Sequence, residues 1–198
     1  MHTYFGASLV VLAALVVAPT EAEEMQDHSH HHVAPGFTRS VQTYQLPDLQ
    51  LVRDDGVSVS STSLFDTQQV VIVSFIFTSC TAVCPVLTAT LTQTRKRLGA
   101  EADRVRIVSV SIDPDYDTPA RLSAYAKQHK ASGDWRFFTG NREAIVTLQK
   151  AFNAFRGDKN NHVPLALIRP AGKSYWVRYE GFTSATILAN EIESRSGS

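Results

Sequence analysis

Val70-Val71-Ile72-Val73-Ser74-Phe75-Ile76-Phe77 runs directly into Thr78-Ser79-Cys80-Thr81-Ala82-Val83-Cys84-Pro85. A short apolar, β-branched run of this kind suits a strand covered on both faces, as at the centre of an α/β sheet. Pro85 favours the first turn of a helix, so the stretch reads as strand, loop and helix start. Cys80 and Cys84 are the only two cysteines of the chain, and both fall at that junction. A helix N-terminus favours thiolate over thiol, so one compact site can hold a soft metal or cycle between dithiol and disulfide.

The spacing narrows the chemistry. Cys-x-x-x-Cys differs from the Cys-x-x-Cys of thioredoxin-type oxidoreductases, and no His follows Cys84 as covalent haem attachment requires. With no second cysteine pair, a four-thiolate zinc or iron–sulfur site within one chain is excluded. A third ligand has to be of another residue type. His162 precedes the apolar run Val163 to Ile168, and ligand sites of α/β sheets gather at strand ends, so this imidazole is placed to approach the cysteine loop. The ordinary alternative is a surface-loop histidine.

Working outward, Tyr44 to Val52 and Val57 to Ser60 flank Asp54-Asp55-Gly56 and read as a hairpin. A helix is expected from about Pro85 to Leu98, with Gly99 ending it, then a strand over Val105 to Ile112. Thr118-Pro119 signals a helix start, Trp135 to Phe138 a short strand, and Asn141 the cap of a helix whose Ile145, Leu148, Phe152 and Phe155 share a face. Val163 to Ile168 and Tyr175 to Tyr179 form an antiparallel pair across Pro170-Ala171-Gly172-Lys173, and Ser184 opens a final helix. This order describes an α/β, thioredoxin-like fold with a central mixed sheet, flanking helices and an N-terminal β-hairpin extension.

At 198 residues, 43% hydrophobic and 19% charged, the chain suits one domain plus short extensions. Its 19 basic and 19 acidic residues cancel, no basic cluster marks a nucleic-acid surface, and nucleic acid is not expected as a partner. Phe5 to Ala18 is short for a membrane span but suits a signal-peptide core, with a cleavage point after Ala22, so residues 1–22 read as a signal peptide or an N-terminal membrane anchor. No cysteine closes that segment, so a bacterial lipoprotein is not expected. Export places the thiols in an oxidising compartment, the bacterial periplasm, where they persist if kept reduced or metal-bound. Residues 23–39 read as a linker whose His28, His30, His31 and His32 are an accessory copper, nickel or zinc tract of little geometric selectivity. Residues 40–198 are the folded domain.

Three elements together carry a family resemblance: Phe77-Thr78-Ser79-Cys80-Thr81-Ala82-Val83-Cys84-Pro85, Asp113-Pro114-Asp115-Tyr116-Asp117-Thr118-Pro119, and His162 before a strand. Over roughly Tyr44 to Ile192 the chain resembles the Sco/SenC family of copper-binding proteins. That resemblance implies one copper ion, Cu(I) or Cu(II), held by Cys80, Cys84 and His162. It further implies a role in metallating or reducing the dinuclear copper A site of cytochrome c oxidase. Another metallochaperone or a thiol reductase is an expected further partner. Soft thiolates suit Cu(I) and imidazole also accommodates Cu(II). Pro164 resembles the proline beside thioredoxin active sites, where a cis peptide is usual.

Asp113 and Asp117 are weighed as partner contacts or as tuners of the copper site, against plain turn chemistry. His129, near a helix end, reads as a surface residue. The rivals to a copper chaperone are a thiol–disulfide oxidoreductase using Cys80 and Cys84 catalytically, and a copper sensor or buffer.

Overall fold

The computed structural model describes residues 1–3 and 36–196. The expected signal or anchor segment and the imidazoles His28, His30, His31 and His32 lie outside the described residues. Among the described residues no helix is long and apolar enough to cross a membrane.

The strands are β1 (Phe37–Gln42), β2 (Gln50–Arg53), β3 (Ser58–Ser60), β4 (Val70–Ile76), β5 (Val105–Ser111), β6 (Trp135–Thr139), β7 (Leu165–Arg169) and β8 (Trp176–Gly181). They form one eight-stranded sheet in the order β1-β8-β7-β4-β5-β6-β2-β3. β4 pairs in parallel with β5 and antiparallel with β7, so the sheet is mixed. The helices are α1 (Ser61–Phe65), α2 (Val83–Leu98), α3 (Pro119–Gln128), α4 (Arg142–Ala151) and α5 (Ala185–Ser196).

All seven residues of β4 are buried, as its unbroken apolar run requires. Strand alternation sends Ile72 and Ile76 to one face, where they pack with Leu87, Leu91, Leu122 and Leu188 of α2, α3 and α5. Val71, Val73 and Phe75 point to the other face, against Ile145, Leu148 and Phe152. Ser74, the one polar residue of β4, shares a hydrogen bond of 2.8 Å with Ser109, whose hydroxyl also accepts from the Trp135 indole at 3.0 Å. The buried hydroxyl pair is thereby satisfied.

Three elements differ from the sequence expectation. The structure has a strand at Phe37–Gln42 where the sequence signals none before Tyr44; it is a polar edge strand and gains its order from six pairings with β8. Residues 43–49 are irregular, and the expected hairpin is the short pair β2–β3, turning at Gly56 with φ +85°. α4 ends at Ala151, Asn153 adopts φ +53°, and Phe155 therefore leaves the helix face and is exposed. No described peptide bond is cis, Val163–Pro164 included.

Candidate metal and thiol site

β4 ends at Ile76 and delivers the chain into the loop carrying Cys80. α2 starts at Val83, two residues before Pro85, so Cys84 lies inside the first turn and not at its edge. Ala82 supplies no capping side chain, and the first-turn N–H groups need an acceptor. The Cys80 sulfur serves: it takes the Cys84 N–H at 3.4 Å. Partial burial raises the Cys80 thiol, but the Cys84 N–H, the Cys84 thiol and the N–H groups of Ala82 and Val83 outweigh it, and its pKa lies below the ordinary thiol value. Cys84 is wholly buried, and burial, the shared hydrogen bond with Cys80 and the charge of Asp117 push its thiol well up. Cys80 is thus the more accessible and more acidic thiol, and Cys84 the buried and less acidic one.

The loop is pinned from behind. Asp117 is fully buried; its carboxylate accepts the Thr78 N–H at 3.0 Å, the Thr78 hydroxyl, and the Ser111 hydroxyl at 2.6 Å. Asp113, in the same segment, pairs with Lys159 at 2.5 Å. Lys159 opens the 3-10 turn Lys159–Asn161, which leads into His162.

His162 is buried, and its Nε2 donates to the Phe75 carbonyl at 2.8 Å, a contact made possible by the antiparallel register of β4 and β7. Burial lowers the imidazole's pKa and Arg156 adds to that, against the opposing Phe75 carbonyl, so the ring favours its neutral, ligating form. With Nε2–H committed, Nδ1 carries the free lone pair. Cys80, Lys159, Asn160 and His162 line one open cleft of about 210 Å³. The structure therefore brings together Cys80 and Cys84, and sets His162 across a shared cleft from Cys80. Among the described residues no three His, Cys, Asp or Glu side chains are gathered closely enough to hold a metal as they stand.

Lys159 carries no local sequence signal for this site, and the part of Thr78 and Ser111 as donors to Asp117 emerges only where the loop after β4 and the end of β5 meet that carboxylate. His129 caps the end of α3 and packs tilted against Tyr125 with ring centroids 4.2 Å apart, and it does not line the cleft.

The profile of the SCO1/SenC family matches residues 39–187. A SCO1 protein homolog of Bacillus subtilis is 40% identical over 104 residues, 52% of this chain and 53% of the relative, so the alignment spans about half of either protein. Among solved structures, BsSco, described as a member of the Sco family of cytochrome c oxidase assembly proteins with a disulfide switch, is 28% identical at a TM-score of 0.67, covering 81% of this chain and 98% of BsSco. ScoI of Bradyrhizobium japonicum, solved with copper bound, shares the fold at 19% identity and a TM-score of 0.64, covering 75% and 98% of the two chains.

Proposed function

The chain belongs to the SCO1/SenC family, and from that membership we propose that it is an exported copper chaperone. It carries one copper ion on Cys80, Cys84 and His162 and delivers it to the dinuclear copper A site of cytochrome c oxidase. The supporting observation is the cleft that Cys80 and His162 line together, with Cys84 held against the Cys80 sulfur. Two soft sulfurs and an imidazole with a free Nδ1 fit copper in both oxidation states.

Each residue has a part. Cys80, the more accessible and more acidic thiol, meets incoming copper first; Cys84 gives up its proton as the second sulfur binds, which makes loading release a proton. His162 joins from across the cleft, and the preceding Gly157, at φ +76°, gives its segment a backbone state open to few other residues. Asp117 holds the loop so that both sulfurs keep their spacing. The tract His28, His30, His31 and His32 serves as a weakly selective accessory copper binder.

A competition titration against a chromogenic Cu(I) chelator, followed by mixing with an apo copper A domain, tests the proposal. One equivalent of Cu(I), lost in Cys80→Ser and Cys84→Ser and passed to the copper A domain, is the expected result. Tight binding with no transfer would favour a copper buffer.

A second reading, thiol–disulfide exchange with a client, is supported by the unequal thiols: Cys80 is open to attack and Cys84 is buried behind it as a resolving group. In that reading His162→Ala leaves the rate of client reduction unchanged.

A further inference from the structure

The opposite end of the sheet holds a second cavity, of about 380 Å³, between the β7–β8 turn and the Asp66–Gln68 loop. Arg169 ends β7 opposite Val71 at the start of β4, while the cysteine loop leaves the other end of that strand. The two sites are therefore separated by the length of β4, about 17 Å.

Arg169 lines this cavity and is 8% exposed. Its guanidinium gives one Nη1 hydrogen to the Lys173 carbonyl at 3.1 Å and its Nη2 hydrogens to the carbonyls of Thr67 at 2.6 Å and Gln69 at 3.3 Å. An arginine has five such donors, so two are left over, and the Nε–H among them is buried with no acceptor. All three acceptors are neutral, and among the described residues Arg169 makes no ion pair. A cross-link between turn and loop accounts for the three carbonyl bonds but leaves the buried Nε–H unpaired and the positive charge faced only by the exposed Asp66 carboxylate, with which it forms no ion pair.

The rest of the lining says what would complete it. Lys173, exposed at the rim, adds a second positive charge; Asp66, also exposed, is the one acid in the lining. Tyr44, Phe65 and Trp176 form an apolar wall, with Trp176 edge-on to both other rings. A cavity of this size, with an aromatic wall on one side and polar and charged groups on the other, has room and chemistry for a small molecule that is apolar at one end and charged at the other.

We propose that this cavity binds a small carboxylate with an apolar, ring-sized body, its carboxylate set between Arg169 and Lys173 and its body against Tyr44, Phe65 and Trp176. The apolar wall favours the body, and the unpaired Arg169 Nε–H together with the Lys173 ammonium favours the anion, so neither acetate nor a neutral amide satisfies both.

The test is a titration of the reduced, metal-free full chain followed by ¹⁵N–¹H correlation spectra, with 3-phenylpropionate, 3-phenylpropanamide and acetate as probes. The expected result is saturable shifts with 3-phenylpropionate at the Trp176 indole and at Gln68, Lys173 and Ser174, with the Cys80 and Asn160 amides unmoved. The amide binds at least roughly tenfold more weakly for loss of one charged hydrogen bond, and acetate likewise for loss of the apolar body. Lys173→Met, a surface change that leaves the fold intact, weakens 3-phenylpropionate binding without changing that of the amide. Absence of saturation with 3-phenylpropionate, equal affinity for acid and amide, or indifference to Lys173→Met each overturns the proposal. Arg169→Met is read only beside a circular-dichroism check of folding, and full affinity in a folded variant overturns it too.

Discussion

Asp117 and Glu191 are both buried carboxylates in a domain of near-equal charge, yet their surroundings are opposite in kind. Glu191, on α5, sits between Arg39 of β1 at 2.9 Å and Arg195 at 2.5 Å, and takes the Tyr179 hydroxyl at 2.6 Å. Asp117 takes bonds only from a backbone N–H and two hydroxyls, and among the described residues it makes no ion pair. The corner built by Glu191 is charge-compensated by two arginines. The end built by Asp117 leaves a negative charge beside two thiols, where it raises Cys84. The same residue class thus fastens an edge strand in one place and sets thiol chemistry in the other.

The largest effect on stability is expected from the compensated corner. Glu191→Gln strands two arginines that remain partly solvated, and should cost about 2–3 kcal/mol in a denaturant titration; a cost smaller than that of Asp117→Asn would break the comparison. The pH dependence follows from the same group. Burial alone raises Glu191, but bonds from Arg39, Tyr179 and Arg195 overcome this and bring it down to about 2 from the model-peptide value of 4.5. Its stabilisation is complete above the unfolded value and fades as pH falls from about 4.5 towards 2. Unfolding midpoints across that range should drop for the natural chain and much less for Glu191→Gln; parallel profiles would contradict the assignment.

Asp117→Asn replaces an all-acceptor group by one that must face the Thr78 N–H with an amide, at a cost of about 1–2 kcal/mol. Its sharper signature is chemical. Removing the charge should lower the pKa of Cys84, seen as faster alkylation of that thiol at a fixed pH in mass spectra of the digested protein, whereas Glu191→Gln should leave both thiols as they were. In the unaltered chain Cys80 should alkylate first and Cys84 trail far behind, because only Cys80 is accessible. Equal rates would remove the distinction drawn between them.

Lys159→Met is expected to do least. Its pair with Asp113 is exposed on the lysine side, so the denaturation midpoint should not move measurably. Any effect should fall on copper retention, through the turn that carries His162.

The sequence reading succeeds where signals are local. The run Val70 to Phe77, the proline after Cys84, the Thr118 and Asn141 caps and the Gly99 stop each act within a few residues of their own position. It fails where order comes from distant partners. Phe37–Gln42 carries little apolar pattern because it is an edge strand, and only its register on β8 makes it a strand. Asp117 reads as turn chemistry from its neighbours, and its role emerges when Thr78 and Ser111, from two other elements, close on it. His162 is legible as a polar residue before a strand, but its hydrogen bond to Phe75 depends on β4–β7 pairing that spacing does not encode.

The most direct test of the copper reading is electron paramagnetic resonance of Cu(II) bound to the reduced full chain in which His28, His30, His31 and His32 are all replaced by alanine. The account predicts one sulfur-ligated copper per chain, altered in His162→Ala and abolished in the Cys80→Ser/Cys84→Ser double variant. A signal indifferent to His162, or no stoichiometric copper with the thiols still cycling freely, would contradict it.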